Sequence, residues 1–217
     1  MRKVLLAGII SVLTVLLLYG HGCALPVQSL LPFYTDENEI DIPEEMIGTF
    51  TLKALDGGRE TIILSIDEYS DTLKYTQKFM RGDEEGAGSS STHEIVFFKI
   101  NNHLFADMIL ERVESIDRDN FPLLAVSQLT RVHTFVMIVP TENGFKVYLP
   151  EAGNAVKLIE ENSIDLPYVK IGKYDYIFTA SGEQWHAFLE KYAEALFNNK
   201  DENSAIPFLR SQDAEEE

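Results

Sequence analysis

The residues best suited to chemistry in this sequence are a few histidines, acids and tyrosines spread along the chain. Tyr75, His103, Asp107 and His133 are candidate ligand-binding residues, because predicted strands would project their side chains from a rigid sheet. The sequence contains no G-x-S-x-G motif, no H-E-x-x-H motif and no phosphate-binding glycine loop. We therefore assign no catalytic residue.

The spacing of the histidines does not favour a metal site. A predicted tight turn at Asn101-Asn102 places His93 and His103 far apart on two paired strands. His103 and Asp107 share a strand face, but roughly 13 Å separates them at ~3.3 Å per residue. His133 follows Val132 and fits a hydrogen-bonded residue at the margin of the core. We expect no metal and no cofactor.

The only cysteine, Cys23, ends a segment with the build of a secretory signal. Arg2 and Lys3 precede an uncharged apolar run from Val4 to Gly20. A membrane-spanning helix is the alternative, since the run is near the lower limit of the roughly 17–25 residues that a bilayer requires.

The arrangement of Leu18, Gly22 and Cys23 resembles the lipobox of bacterial lipoproteins, with Gly20 and His21 departing from the usual pattern. The resemblance implies cleavage before Cys23 and lipidation of its thiol. The protein would then be exported and anchored by its lipidated N-terminus to a membrane of the bacterial cell envelope, on its periplasmic or outer-membrane face. An uncleaved anchor and a simple secreted protein remain alternatives.

The charge balance restricts the partners of the protein. The chain has 18 basic and 35 acidic residues and a formal net charge of −17, and removal of Arg2 and Lys3 would make it more acidic. Nucleic acid is therefore excluded as a partner, and a bare anionic membrane is a poor one, because both require basic patches.

Changes in composition divide the chain into four parts. Residues 1–22 form the signal peptide, 23–41 the lipidated N-terminus and tether, 42–198 a β domain, and 199–217 a polar acidic tail. Leu30, Leu31 and Phe33 are apolar residues of the tether that could instead dock on the domain.

Alternation of apolar and polar residues between Gly48 and Ala180 predicts about eight short strands. Ile95 to Phe98 is apolar on both faces and predicts a deeply buried strand, and Asn143-Gly144 predicts a hairpin turn. A short helix is expected from Gly153 to Asn162. Ser181 and Gln184 form a capping box before an apolar stripe that begins at Trp185 and predicts a C-terminal amphipathic helix.

Hairpin-length links between about eight strands favour a mainly β fold: an antiparallel up-and-down barrel or a strongly curved sheet, with a C-terminal amphipathic helix that closes or covers it. Gly48-Thr49-Phe50 resembles the G-x-W strand start of lipocalins and related calycins, with Phe50 in place of the tryptophan. Together with the lipobox and the Thr179-Ala180-Ser181 junction, the layout is similar to small bacterial lipoproteins of unassigned function. The resemblance implies a lipocalin-like fold and little chemistry.

These observations favour a membrane-anchored binding or accessory module for a small apolar ligand or an envelope protein. Aromatic residues of the strands could line a ligand cavity or could simply fill the core. The alternative is an exported hydrolase or isomerase with a dispersed active site, which would leave no motif in the sequence.

Overall fold

The fold is mainly β, as the sequence predicts. The computed structural model describes residues 26–53, 59–66, 73–80, 90–113, 132–172, 175–197 and 205–210, with the backbone alone for 52–92 and 110–113 within these ranges. The strands are β1 (Gln28–Ser29), β2 (Gly48–Lys53), β3 (Arg59–Ile66), β4 (Leu73–Met80), β5 (Ser90–Ile100), β6 (His103–Val113), β7 (His133–Thr141), β8 (Gly144–Tyr148), β9 (Tyr168–Lys170), β10 (Tyr176–Phe178) and β11 (Ile206–Arg210). The helices are α1 (Ala152–Asn162), α2 (Gly182–Leu196) and a 3-10 turn at Glu44–Met46.

The strands form one mixed sheet in the order β6-β5-β4-β3-β2-β11-β8-β7-β1-β10-β9, and β6 also pairs with β7. The pairs are antiparallel except that β1 runs parallel to β10. β7 is a branch point, because it pairs with β6, β8 and β1. The order ends at β9, so the sheet as a whole is not closed.

Both predicted tight turns lie in hairpins. Asn101 has a positive φ of 53° in the turn that joins β5 to β6. The turn between β7 and β8 is one residue earlier than expected, at Glu142 and Asn143, because Gly144 already pairs with Thr141. Gly144 has φ 141°, and a Cβ at this position would overlap the carbonyl oxygen of Phe208 on β11. Close approach of a third strand therefore requires glycine here.

Strands β5, β6 and β7 are buried on both faces. One face carries Phe97, Ala106 and Val136, which join a cluster with buried residues of β2, β8 and β11. The other face carries Phe98, Phe105 and Phe135, which pack against α1 and α2. The double burial agrees with the apolar run predicted from Ile95 to Phe98, since a strand with two dry faces has no polar side.

The segment between residues 26 and 40 packs on the domain. Val27 and Phe33 are fully buried, the N–H of Ile40 donates to the carbonyl of Phe97, and Glu39 bridges Phe98. The alternative in which apolar residues of this segment dock on the domain is therefore correct for Phe33. Leu30 and Leu31 instead remain about half exposed.

α2 begins as predicted. The Ser181 side chain accepts from the backbone N–H of Gln184, and the Gln184 side chain accepts from the N–H of Ser181. Trp185, Phe188 and Leu189 are buried along its inner face. α1 likewise confirms the expected helix and buries Val156 and Ile159.

Strand β11 was not expected from the sequence. Residues Ile206–Arg210 lie between β2 and β8, within the segment predicted as a polar tail, so that prediction is wrong for these residues. Phe208 is buried, and the Arg210 guanidinium lies over the Phe50 ring at 5.1 Å. The same guanidinium donates to the carbonyls of Glu45 (2.8 Å) and Ile47 (3.2 Å), which fastens the 3-10 turn to β11.

The predictions for residues 1–25, Cys23 included, fall outside the described residues. In the ranges that the structure does describe, no helix is long and apolar enough to cross a membrane.

Candidate functional site

Two of the four candidate residues, Asp107 and His133, meet in the folded protein. Asp107 on β6 pairs with Phe135 on β7, and His133 lies two residues before Phe135 on the same face of the sheet. The Nδ1 atom of His133 is 3.0 Å from Oδ2 of Asp107 and 3.1 Å from Oδ1. With the carboxylate ionised, Nδ1 carries the proton that it donates, and the carboxylate fixes the orientation of the ring.

A third group completes this arrangement. The backbone N–H of Phe33, in the N-terminal segment, donates to Oδ2 of Asp107 at 3.1 Å. The Asp107 side chain thus joins β6 to β7 and to the N-terminal segment. Burial of the carboxylate raises the pKa of Asp107, and the hydrogen bonds from His133 and the backbone N–H groups of Phe33 and Met108 partly oppose that rise.

Tyr34 belongs to the same environment. Burial, followed by the negative charge of Asp107 and nearby glutamates, raises the pKa of Tyr34 to about 12. Its phenol is therefore neutral at physiological pH and is a poor base.

The other two candidate residues do not join this site. Nε2 of His103 is 3.2 Å from a carboxylate oxygen of Glu194 on α2, so His103 and Asp107 have different partners, as their separation along β6 predicts. Tyr75 pairs with Leu64 on β3 and with His93 on β5 through the backbone, and its side chain lies outside what is described.

Ser29 is a neighbour of the pair that sequence reasoning missed. It is the backbone partner of His133 between β1 and β7, so its hydroxyl lies on the same side of the sheet as the imidazole and the Asp107 carboxylate, three groups of the kinds that acyl-transfer enzymes use. However, Ser29 is fully buried, and its Oγ accepts the N–H of Leu31 at 3.2 Å. A substrate carbonyl cannot reach this hydroxyl in the observed conformation, so the arrangement supports a structural function.

Asn38 forms a second polar link that was also missed. Its Oδ1 accepts from the N–H of Thr35 at 2.8 Å, and its Nδ2 donates to Nδ1 of His186 on α2 at 3.1 Å. The two side chains are 148 residues apart in sequence, so no local spacing could indicate their contact. The Asp107 and Asn38 links hold opposite ends of the segment between residues 33 and 38.

The structure also exposes a group of large apolar side chains, which we call the apolar face: Leu30, Leu31, Val169 and Ile171. Val169 pairs with Ile177, and Ile177 pairs with Gln28. The side chains of these three residues therefore lie on one side of the β9-β10-β1 sheet. The N–H of Leu30 donates to the carbonyl of Phe178 at 3.0 Å and keeps Leu30 beside β10. The face escaped sequence reasoning because neither β1 nor β9 was predicted.

Among the described side chains, no three from His, Cys, Asp or Glu lie close enough together to hold a metal ion.

Comparison with known proteins returned no match among protein-family models, curated proteins or solved structures.

Proposed function

We propose that this protein is an exported lipoprotein, anchored through Cys23 to an envelope membrane, that works by binding and has no turnover of its own. The basic start, the apolar run and Gly22-Cys23 support the anchor. The protein binds through its surface, and the apolar face is the surface that we assign to this role.

The state of Asp107 is the observation that carries the binding proposal. The carboxylate is 3% exposed, and donors from the fold itself occupy it, namely Phe33 and His133. A general base needs a proton of the substrate within hydrogen-bond reach. Here the acid and the imidazole are used to hold the N-terminal segment on the sheet.

We further propose a lipocalin-like barrel for the eight strands other than β1, β9 and β10. Two sets of pairings support it. Consecutive strands from β2 to β8 pair with each other, and β11 pairs with both β8 and β2. Buried apolar side chains on one face of these strands, including Phe50, Phe97, Phe145 and Phe208, contact each other in one cluster. This cluster covers the interior side of β2, β5 to β8 and β11, where side chains are described, and it favours binding on the outside of the barrel.

Metabolic labelling with palmitate tests the anchor. Wild-type protein should incorporate the label, and its intact mass should correspond to a chain that begins at an acylated Cys23. The variant Cys23→Ala should incorporate none. Equal labelling of the two proteins would contradict the anchor.

Activity screening tests the absence of turnover. Purified protein should hydrolyse none of a panel of lipid, glycan and peptide substrates. A rate that His133→Gln abolishes while the far-ultraviolet circular dichroism spectrum is unchanged would establish the hydrolase alternative and refute the binding proposal.

A further inference from the structure

We propose that the apolar face docks on the lipid bilayer that holds the anchor, so that the domain lies directly against the membrane surface. This inference rests on the proposed lipid anchor at Cys23 and identifies what the proposed binding surface contacts.

The length of chain between Cys23 and the sheet is the first argument. Val27 is fully buried, and its N–H donates to the carbonyl of Pro150 at 3.1 Å, so the chain is fixed to the domain from this residue onward. Four residue steps separate Val27 from Cys23, and they span at most about 14 Å even when fully extended. A lipidated Cys23 therefore holds this end of the sheet close to the headgroups, whose layer is itself ~5–8 Å thick in each leaflet.

The position of the apolar face is the second argument. Leu30 and Leu31 follow β1 within four residues of Val27, and β10 and β9 lie next to β1 in the sheet. Val169 is level with Gln28 and lies two strand spacings, ~10 Å, from it, and Ile171 lies two residues further along the chain, at the end of the sheet where residue 26 enters. A tether this short keeps the three strands that carry these exposed residues within reach of the membrane.

The chemistry of the face is the third argument. The exposed fractions are 49% for Leu30, 45% for Leu31, 56% for Val169 and 63% for Ile171. Gln28, Ile177 and Val169, which form one row across the strands, carry no charge, although the whole chain has a net charge of −17. Exposed apolar side chains beside an uncharged row favour contact with an apolar phase over attraction to anionic lipid.

The membrane is favoured over a second copy or an envelope protein, because the anchor keeps it permanently next to the face. A tethered surface has a high effective concentration that does not depend on the abundance of a partner. Weak insertion of a few side chains is then sufficient to fix the orientation of the domain.

The chain offers matched control positions. Val139 and Leu209 are also exposed apolar residues, at 40% and 53%. Val139 lies six residues along β7 from His133, the partner of Ser29, and is therefore ~20 Å from β1 along the strand. Leu209 pairs with Gly144, next to the β7–β8 turn at the same far end.

The test uses the full, processed protein in phosphatidylcholine vesicles. The single-cysteine substitutions Leu31→Cys, Ile171→Cys, Val139→Cys and Leu209→Cys are each labelled with an environment-sensitive fluorophore. Lipidation consumes the thiol of Cys23, the only cysteine in the sequence, so unsubstituted protein should take up no label. Labels at 31 and 171 should show blue-shifted emission, a several-fold gain in intensity and quenching by spin-labelled lipid, whereas labels at 139 and 209 should report water.

The outcomes separate this inference from the proposed function. Protein that floats with the vesicles and has an acylated Cys23, but whose labels at 31 and 171 remain in water, would overturn the docking and leave the anchor intact. Labels that are shielded from water but not quenched by spin-labelled lipid would indicate a protein partner or a second copy and would also overturn it. Failure to float, together with an unmodified Cys23, would overturn both proposals.

Discussion

Replacement of Asp107 gives the sharpest test of the role assigned to it. Asp107→Leu has a similar size but accepts no hydrogen bond, so it leaves the Phe33 N–H and Nδ1 of His133 without their acceptor. Asp107→Asn is the matched control, because its amide oxygen can still accept from Phe33 and its amide nitrogen can donate to the neutral imidazole.

The magnitude follows from the two lost hydrogen bonds. A buried group left unsatisfied costs ~1–3 kcal/mol. The Phe33 N–H faces a carboxylate that is 3% exposed, whereas the His133 side chain is 16% exposed and can partly regain water. We expect Asp107→Leu to lower the free energy of unfolding by ~2–4 kcal/mol and the melting temperature by about 4–16 °C. Asp107→Asn should stay within ~1.5 kcal/mol of wild type.

Urea unfolding followed by the fluorescence of Trp185 measures both variants. Trp185 is the only tryptophan, and its ring centroid is 4.8 Å from that of Phe33, so the signal reports the packing of the N-terminal segment. An Asp107→Leu variant as stable as Asp107→Asn would show that the carboxylate does not hold this segment, and our reasoning would be refuted.

Wild type and Asp107→Asn give a pH dependence with a definite sign. Burial raises the pKa of Asp107 above its ordinary value of 3.8 in the folded state. The stability that protonation of Asp107 contributes is therefore complete below pH 3.8 and is lost as the pH rises through the folded pKa. The free energy of unfolding of wild type minus that of Asp107→Asn should fall across this window. A difference that rises with pH would contradict the stated direction of the shift.

Three further predictions concern α2, β11 and the N-terminal segment. Trp185→Ala should lower the free energy of unfolding by ~3–5 kcal/mol, because Trp185 is fully buried. Urea titrations followed by circular dichroism measure this change, and an unchanged midpoint would place α2 outside the core. Arg210→Ala should lower the free energy of unfolding by ~1–2 kcal/mol. Arg210→Lys should recover little of this stability, because one ammonium group cannot reach two carbonyls while covering the Phe50 ring. Full recovery by lysine would refute this geometry. Tyr34, whose pKa is raised to about 12, should titrate late, and its contribution to stability should be lost between pH 10 and pH 12. Absorbance at ~295 nm should show one fewer late-titrating tyrosine in Tyr34→Phe than in wild type. Identical titrations of the two proteins would contradict this prediction.

The local pattern of the sequence was sufficient for the elements that local physics decides. The capping box at Ser181, the apolar stripe of α2 and the turn at Asn101 depend on residues within a few positions of each other. Alternation predicted β2, β3 and β4, because a strand must place successive side chains on opposite faces, and a short apolar run predicted the doubly buried β5. The mainly β class followed from these elements.

The elements that were missed are short or polar and exist only because of their neighbours. In the sequence, β11 belongs to the segment predicted as an acidic tail, and it forms a strand because β2 and β8 supply hydrogen bonds on both sides. β1 and β9 are too short to show a period. No pattern in a three-residue strand could have predicted the apolar face.

The sequence by itself therefore determined the composition, the candidate anchor, the surest helix and the polar side chains available for chemistry. Only the tertiary structure decided that Asp107 meets His133 and Phe33, from 26 and 74 residues away, while His103 meets Glu194. The physical reason is that register and strand order, set by burial over the whole sheet, determine which distant side chains become neighbours.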